Sequence, residues 1–571
     1  MVAGQPWRNR WWRPGGGTVQ DLAVAAEDTT LHGKRPTISS LHGVVAAAHP
    51  LAAQAGARIL GNGGNAFDAA AATAAALNVV EPYMSGLAGL GYAACYVAAE
   101  GRVRTLNFVN PIPRRFPVER FTQREELARG ALSVGTPGNL AGWCEMVRVH
   151  GRKALPEIFA PAIALARDGY PLIEFNVEET RGTAPELRRH TALFDTWART
   201  YTDGTGRVEP GFILRQPDLA GTLEALAAEG PGHLYGGALG RAVVAHLQAA
   251  GGCLTIEDLE AARPVWGEPL CVTYRGLRLH TLAPPCEGFQ YLLTLRLLED
   301  ADLARLERNG VEHLDLVWRA IRLAAGARIA HNHPSSETLA WLLGDAHVGQ
   351  LRARLHDGQP VEGPTEQWTP GAPPAASPAA AAMAEQHTTS FSIADRDGNV
   401  VCVTQSLGSP FGSGVVVPGT GMCLNNFLYW ADVNPHSPNR SKPGGVLPVC
   451  MAPSIGLRED GKPALALGTP GSYGILQTQV QALVQHLDFG LPLQDAIEAP
   501  RARLMDGRAV HPESRIDEKT QAALRQRGHA VSPLPAWHMR VGGMQAIAID
   551  AATGAMTGAC DPRRDGYVAT A

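Results

Sequence analysis

The sequence predicts an α+β fold in which stacked sheets are covered by helices. Three observations point there. Ala-rich helical periodicity begins soon after residue 40, further helical periodicity fills much of 154–263 and 311–357, and short strands alternate with helices after residue 388. The chain of 571 residues is long enough for one large core or for several ordinary domains.

Each element has its own signal. The stretch GVVAAAHPLAAQAGARILGNGGNAFDAAAATAAALNVVEP (43–82) reads as two Ala-rich helices around a Gly-rich break at 61–65. A phosphate loop is disfavoured there, because a helix precedes the glycines and no Lys-Ser/Thr follows them. LAGLGYAACYVAAEGRVRTLNFVNPIP (87–113) is a Gly-lined entry and a hairpin turning at Glu100-Gly101. Residues 131–151 are a Gly/Pro loop entering a helix, and 268–282 read as strands. The segment 359–384 is rich in Pro and Ala and has no pattern that could bury a face, so an exposed flexible loop is expected. Beyond it, strands are expected near 389–394, 400–406, 414–424, 464–468 and 544–550, with helices near 475–486, 493–498 and 517–527.

Composition narrows the function classes. A formal net charge of −4 gives no electrostatic case for nucleic acid or an acidic membrane as partner. Nine cysteines without a CxxC pair read as reduced thiols in a reducing compartment, so a cytoplasmic location is expected and a metal site is not. Arg8, Arg10 and Arg13 are not followed by the apolar run of a secretory signal, and no window has the length and apolarity of a membrane span. His331 and His333 lack a third ligand in the sequence. No metal or organic cofactor is implied.

The stretch AEQHTTSFSIADRDGNVVCVTQS (384–406) carries the chemistry. Asp397-Gly398 is a hairpin turn signal, and pairing about it puts Thr388 near Ser406 or Leu407. A neutral threonine hydroxyl needs a base beside it. An N-terminal threonine carries one, its α-amine, which titrates at about 7.7–8.0. That amine exists only if the bond between His387 and Thr388 is cut. Taken alone, a Thr-Thr pair opening a strand is explained by β-propensity.

The same stretch resembles the autoprocessing junction of the γ-glutamyltranspeptidase family of N-terminal-nucleophile hydrolases. ILGNGGNAFDAAAATAAALNVVEP, SVGTPGNLAGW, PAIALARDGYPL, FGSGVVVPGTGMCLNN, LGTPGS and ACDPRRDG extend the resemblance in the same order over roughly residues 40–570. It implies a four-layer αββα sandwich. An N-terminal extension (1–40) precedes a large chain (41–387), which ends in the flexible loop 359–387. The small chain (388–571) begins at the nucleophile, and the two chains form one intertwined domain. Thr388 is then the nucleophile, Ser406 the supporting hydroxyl, and the Gly471-Ser472 backbone the oxyanion hole. Arg563 and Arg564, between Asp561 and Asp565, read as a salt-bridged structural element.

The departures concern the substrate. A γ-glutamyl group needs an arginine for its carboxylate and an acid for its ammonium. The matching positions hold Val109 and Trp430, and the family's paired serines fall on Val449 and Cys450. Asp432, Arg114 and Arg115 could substitute only after local shifts. Val109, Phe427, Trp430 and Cys450 are therefore expected to line an apolar acyl pocket, since an unpaired zwitterion there would lose its water without compensation. The segment between Trp430 and Pro448 also reads as short for the family's lid.

The expected activity is hydrolysis of a small amide through an acyl-enzyme on Thr388. Besides that substrate, the expected partners are the two chains of the precursor. The oligomeric state, and a homo-oligomer with it, is left open. Two alternatives stand beside this reading: a genuine γ-glutamyl hydrolase or transferase with a rearranged pocket, and a non-catalytic scaffold that kept the fold.

Overall fold

The computed structural model describes residues 36–362, 387–437 and 439–571. The N-terminal Trp/Arg segment and most of the Pro/Ala-rich loop expected at 359–384 lie outside the described residues.

Two seven-stranded sheets form the centre. In the first, the order is Tyr567–Thr570, Gly43–Ala47, His387–Asp395, Val400–Gly408, Leu90–Val97, Arg102–Asn107 and Val265–Gly267. In the second it is Ile38–Ser40, Met556–Cys560, Gln545–Ile549, Pro463–Gly468, Ser454–Leu457, Leu277–Leu282 and Pro269–Tyr274. Neighbours in both sheets run antiparallel.

The layers follow from side-chain alternation along each strand. On the central hairpin, Phe391, Ile393, Val401 and Val403 join a core with the helices Pro50–Gly61 and Ala66–Val80. Their sequence neighbours Ala394, Val400 and Cys402 face the second sheet, meeting Ile455, Ala466 and Ile547. That sheet buries its other face, including Leu279 and Leu465, under the helices Phe289–Leu298, Val311–Ala330 and Ile475–Leu487. The result is helix, sheet, sheet, helix. Alanine is the reason the first helices lie so close. Gly56 packs where an added Cβ would stand 2.2 Å from Thr73 Oγ1.

Two local expectations need correction, and three strands lay outside them. Residues 43–47 are a strand, not the start of a helix. GVVAA is buried on both faces between two strands, so it shows no period of two, and the helix begins only at Pro50 with His49 as its cap. Residues 414–424 form two minimal strands, Val416–Val417 and Met422–Cys423, because Pro-Gly-Thr-Gly turns the chain between them. The strands Ser454–Leu457, Met556–Cys560 and Tyr567–Thr570 were not anticipated, being too short to carry a pattern. Among the described residues no helix is long and apolar enough to cross a membrane.

Candidate active site

Thr388 stands second in the strand His387–Asp395, near the middle of the first sheet. The hairpin register holds from Ala394 opposite Val400 to Thr389 opposite Gln405, then shifts so that His387 faces Gly408. Two residues of one strand thus span three of the other, and Thr388 lies opposite Ser406 and Leu407 at a bulge. Thr388 is 4% exposed and Ser406 2%.

Hydrogen bonds fix this bulge from both sides. The Ser406 hydroxyl donates to the His387 carbonyl at 2.6 Å and accepts from the Gly408 N–H at 2.8 Å. Ser406 therefore touches the carbonyl of the His387–Thr388 bond itself. Arg564 Nη1 donates to the Thr388 carbonyl at 3.0 Å, and Thr389 Oγ1 donates to Glu81 Oε2 at 2.8 Å. His387 Nε2 lies 2.7 Å from Glu179 Oε2, with both side chains buried.

The charges below the bulge perturb one another. Burial pushes the Glu81 carboxyl up to about 7, against the Thr389 hydroxyl and Arg564, which favour its ionised form. Burial would also raise Glu179, but His387 and Arg564 outweigh it and hold that carboxyl below the usual range. Arg564 itself is lowered by burial, partly offset by Glu179 and Glu81.

Sequence reasoning missed Glu81, Glu179 and the role of Arg564. The pair Arg563-Arg564 divides its work. Arg563 is the expected structural element, bonded to Glu513 and Asp561, whereas Arg564 turns toward the Thr388 backbone. The charged run in ACDPRRDG was the available signal. Glu81 lies at the end of one of the quoted motifs (NVVEP), but nothing there or around Glu179 shows its partner, which is hundreds of residues away in the chain.

The Gly471-Ser472 turn follows the strand Pro463–Gly468 and precedes the helix Ile475–Leu487. Gly468 touches the central hairpin so closely that an added Cβ would stand 2.1 Å from Ser390 Oγ and 3.2 Å from Thr404 Oγ1. Three residues on, Gly471 has φ +122° and lies against Gly542, whose neighbour Gly543 packs on the Arg564 side chain. Ser472 takes φ +55°, the left-handed region where a Cβ is penalised. Both residues of the turn thus take positive φ.

The four residues expected at the acyl pocket belong to one apolar cluster. Phe427 and Cys450 are buried in it, and Val109 and Trp430 pack at its edge. The Phe427 and Trp430 rings are 6.4 Å apart, and Trp430 is 5.5 Å from Tyr473, the residue after Ser472. Tyr473, missed by sequence reasoning, lies under the Arg328 guanidinium at 4.1 Å, and Arg328 pairs with buried Glu287 at 2.6 Å. Tyr92 adds a buried hydroxyl with no hydrogen-bond partner among the described residues, its acidity suppressed by burial and then by nearby Cys286, Glu287 and Cys450. The Trp430 indole N–H is likewise buried without an acceptor among the described residues.

The candidate substitutes for γ-glutamyl recognition are engaged elsewhere. Asp432 accepts from the Ser437 hydroxyl and the Asn434 N–H, inside its own loop. Arg114 is exposed, 3.7 Å from Asp258, and Arg115 is exposed too. Among the described residues no cluster of His, Cys, Asp and Glu has the form of a metal site.

Comparison with known proteins agrees with this geometry. The gamma-glutamyltranspeptidase family model matches residues 52–571. The Acylase ACY 1 proenzyme of Pseudomonas sp. (strain SE83) is 35% identical over 550 residues, covering 93% of this chain and 94% of the relative. A glutathione hydrolase proenzyme of Bacillus subtilis (strain 168) is 29% identical, covering 92% and 90%. The crystal structure of cephalosporin acylase from Bacillus halodurans superimposes with a TM-score of 0.85 at 28% identity, covering 95% of this chain and 98% of that one. With a bulged threonine at the head of a sandwich strand and a family match over nine-tenths of its length, the chain belongs to the gamma-glutamyltranspeptidase family of amide-cleaving N-terminal-nucleophile hydrolases.

Proposed function

We propose that this chain cuts itself between His387 and Thr388 and then hydrolyses an amide whose acyl group is apolar rather than γ-glutamyl. The observation that carries the reading is the Ser406 hydroxyl, 2.6 Å from the carbonyl oxygen of the bond to be cut. A donor at that position stabilises the charge that develops there when a nucleophile attacks.

Self-cleavage then runs as an acyl shift. Thr388 Oγ1 attacks the His387 carbonyl carbon, and its proton passes to the Thr388 nitrogen as the C–N bond breaks. An ester between His387 and Thr388 remains, and water hydrolyses it to the His387 carboxylate and the Thr388 hydroxyl and amine. The products are residues 1–387 and 388–571, the second of 571 − 387 = 184 residues. They stay together because the new N-terminal strand lies between Gly43–Ala47 of the large chain and Val400–Gly408 of the small one.

In turnover the freed amine is the base. It takes the Thr388 hydroxyl proton, and the hydroxyl oxygen attacks the substrate carbonyl. The Gly471-Ser472 backbone receives the oxyanion, and the amine hands the proton to the leaving nitrogen. Water, activated by the same amine, releases the acid. The acyl group rests on Val109, Phe427, Trp430 and Tyr473, and the positions where a γ-glutamyl zwitterion would need an arginine and an acid hold Val109 and Trp430. The acylases among the relatives support a substrate other than a γ-glutamyl amide.

Intact mass spectrometry tests the first half: two chains are expected from the wild type and one from Thr388→Ala. A single uncut wild-type chain removes the base and with it the proposal. Acyl p-nitroanilides test the second half. Apolar acyl groups are expected to exceed γ-glutamyl in kcat/KM by at least about tenfold, given the cost of burying unpaired polar groups. Preference for γ-glutamyl would favour the rearranged-pocket alternative.

A further inference from the structure

Resting on the self-cleavage reading above, we infer that Glu179 is a positioning residue for that cleavage, acting through the imidazole of His387. The reacting carbonyl belongs to His387, so whatever fixes His387 fixes the electrophile. Three contacts do so: its carbonyl on Ser406 Oγ at 2.6 Å, its backbone opposite Gly408, and its Nε2 at 2.7 Å from Glu179 Oε2. The first two come from the partner strand of the hairpin. The third comes from the helix Glu174–Leu187 of the large chain, more than 200 residues away in sequence.

The site is built for this contact. Glu179 is 8% exposed and His387 6%, so neither partner is a solvated surface group. Among the described residues the ring's other nitrogen, Nδ1, is buried without a hydrogen-bond partner, and Glu179 is the polar contact that orients the ring. On the far side of the bond, Arg564 holds the Thr388 carbonyl and Glu81 holds the Thr389 hydroxyl. The scissile peptide is thus tied on both sides, to the helix Glu174–Leu187 through Glu179 and to the C-terminal end of the helix Ala66–Val80 through Glu81. Strand pairing does not do this alone, because the register shifts between His387 and Thr389 and interrupts the ladder at the reacting bond. A displacement of about 1 Å at a reacting carbonyl costs roughly a hundredfold in rate.

The test is the rate of self-cleavage of freshly translated precursor, followed as the appearance of the 184-residue chain (571 − 387) on gels. Glu179→Ala and His387→Ala are each expected to slow cleavage by roughly tenfold to a hundredfold. The double variant is expected to be no slower than the slower single one, because both remove the same contact. His387→Gln, whose amide still donates to Glu179, is expected to recover most of the rate. That recovery also separates positioning from a role for the imidazole as base. Glu179→Gln keeps an acceptor if the alanine variant fails to fold, and melting of each variant in a Thr388→Ala background reports folding without cleavage.

Wild-type cleavage rates in folded Glu179→Ala and His387→Ala would overturn the inference, as would additive losses in the double variant or a His387→Gln as slow as His387→Ala. Failure of the underlying reading looks different: Thr388→Ala itself would still be cut after His387.

Discussion

At the scale of single residues, the site combines kept chemistry with tolerated strain. Ser472 occupies a position whose φ of +55° suits glycine, and it is 2% exposed. In the proposed mechanism its backbone N–H serves the oxyanion, which would explain why the backbone is held there despite the Cβ. Ser472→Gly is expected to stabilise the protein by about 1 kcal/mol, the usual cost of a side chain in this region, while leaving self-cleavage intact. Chemical denaturation of the two proteins checks the first part and mass spectrometry the second. Glu81 makes the opposite use of burial. With its carboxyl raised to about 7, the buried group is largely neutral below that pH and accepts the Thr389 hydroxyl without placing a full charge under the strand His387–Asp395.

At the scale of elements, the approach of the two sheets sets the position of the Gly471-Ser472 turn relative to the hairpin. The contact is Gly468 against Ser390, two residues beyond Thr388. A methyl group at Gly468 would meet Ser390 Oγ at 2.1 Å and Cys402 Sγ at 3.1 Å, so the strands must part. Gly468→Ala is expected to cost about 1–3 kcal/mol, the range for overpacking a core, and to slow self-cleavage as well. A shift in urea midpoint without slower cleavage would show that the turn is positioned independently of the sheets.

At the scale of the whole molecule, buried charges couple stability to pH. Glu81 is raised from 4.5 to about 7, so between those values the folded state binds more protons than the unfolded one. Its contribution is complete below about 4.5 and is lost as pH rises through about 7. The surrounding charges, Arg564, Asp565 and Glu179, belong to the same cluster and remain in a Glu81→Gln variant. Wild type is therefore expected to lose stability relative to Glu81→Gln across that interval, by at most about 3 kcal/mol. Urea midpoints of both proteins in a Thr388→Ala background, measured across the interval, give the difference. Parallel curves would show that Glu81 ionises normally. Asp561 works in the other direction. Burial alone would raise it, but Arg501 and Arg563 hold it down at about 2, so its contribution persists into acid and is lost only as pH falls through that value.

How much was legible in the sequence depends on how far apart the interacting residues are. The hairpin about Asp397-Gly398, the Ala-rich helix pair and the apolar character of Val109, Phe427, Trp430 and Cys450 were readable, because turn chemistry, periodicity and motif order are local. The strand at 43–47 was not, because burial on both faces erases alternation. Nor were Glu81, Glu179 and Tyr473, since nothing local distinguishes a glutamate under a scissile bond from one on a solvated helix. The sequence by itself determined the family, the layered fold and Thr388 as the candidate nucleophile, through residues whose meaning lies in their immediate neighbours. Only the tertiary structure decided that Ser406 touches the His387 carbonyl, that Arg564 leaves its structural twin for the Thr388 backbone, and that Glu179 grips His387. Those facts come from contacts between segments that only sheet pairing and core packing bring together.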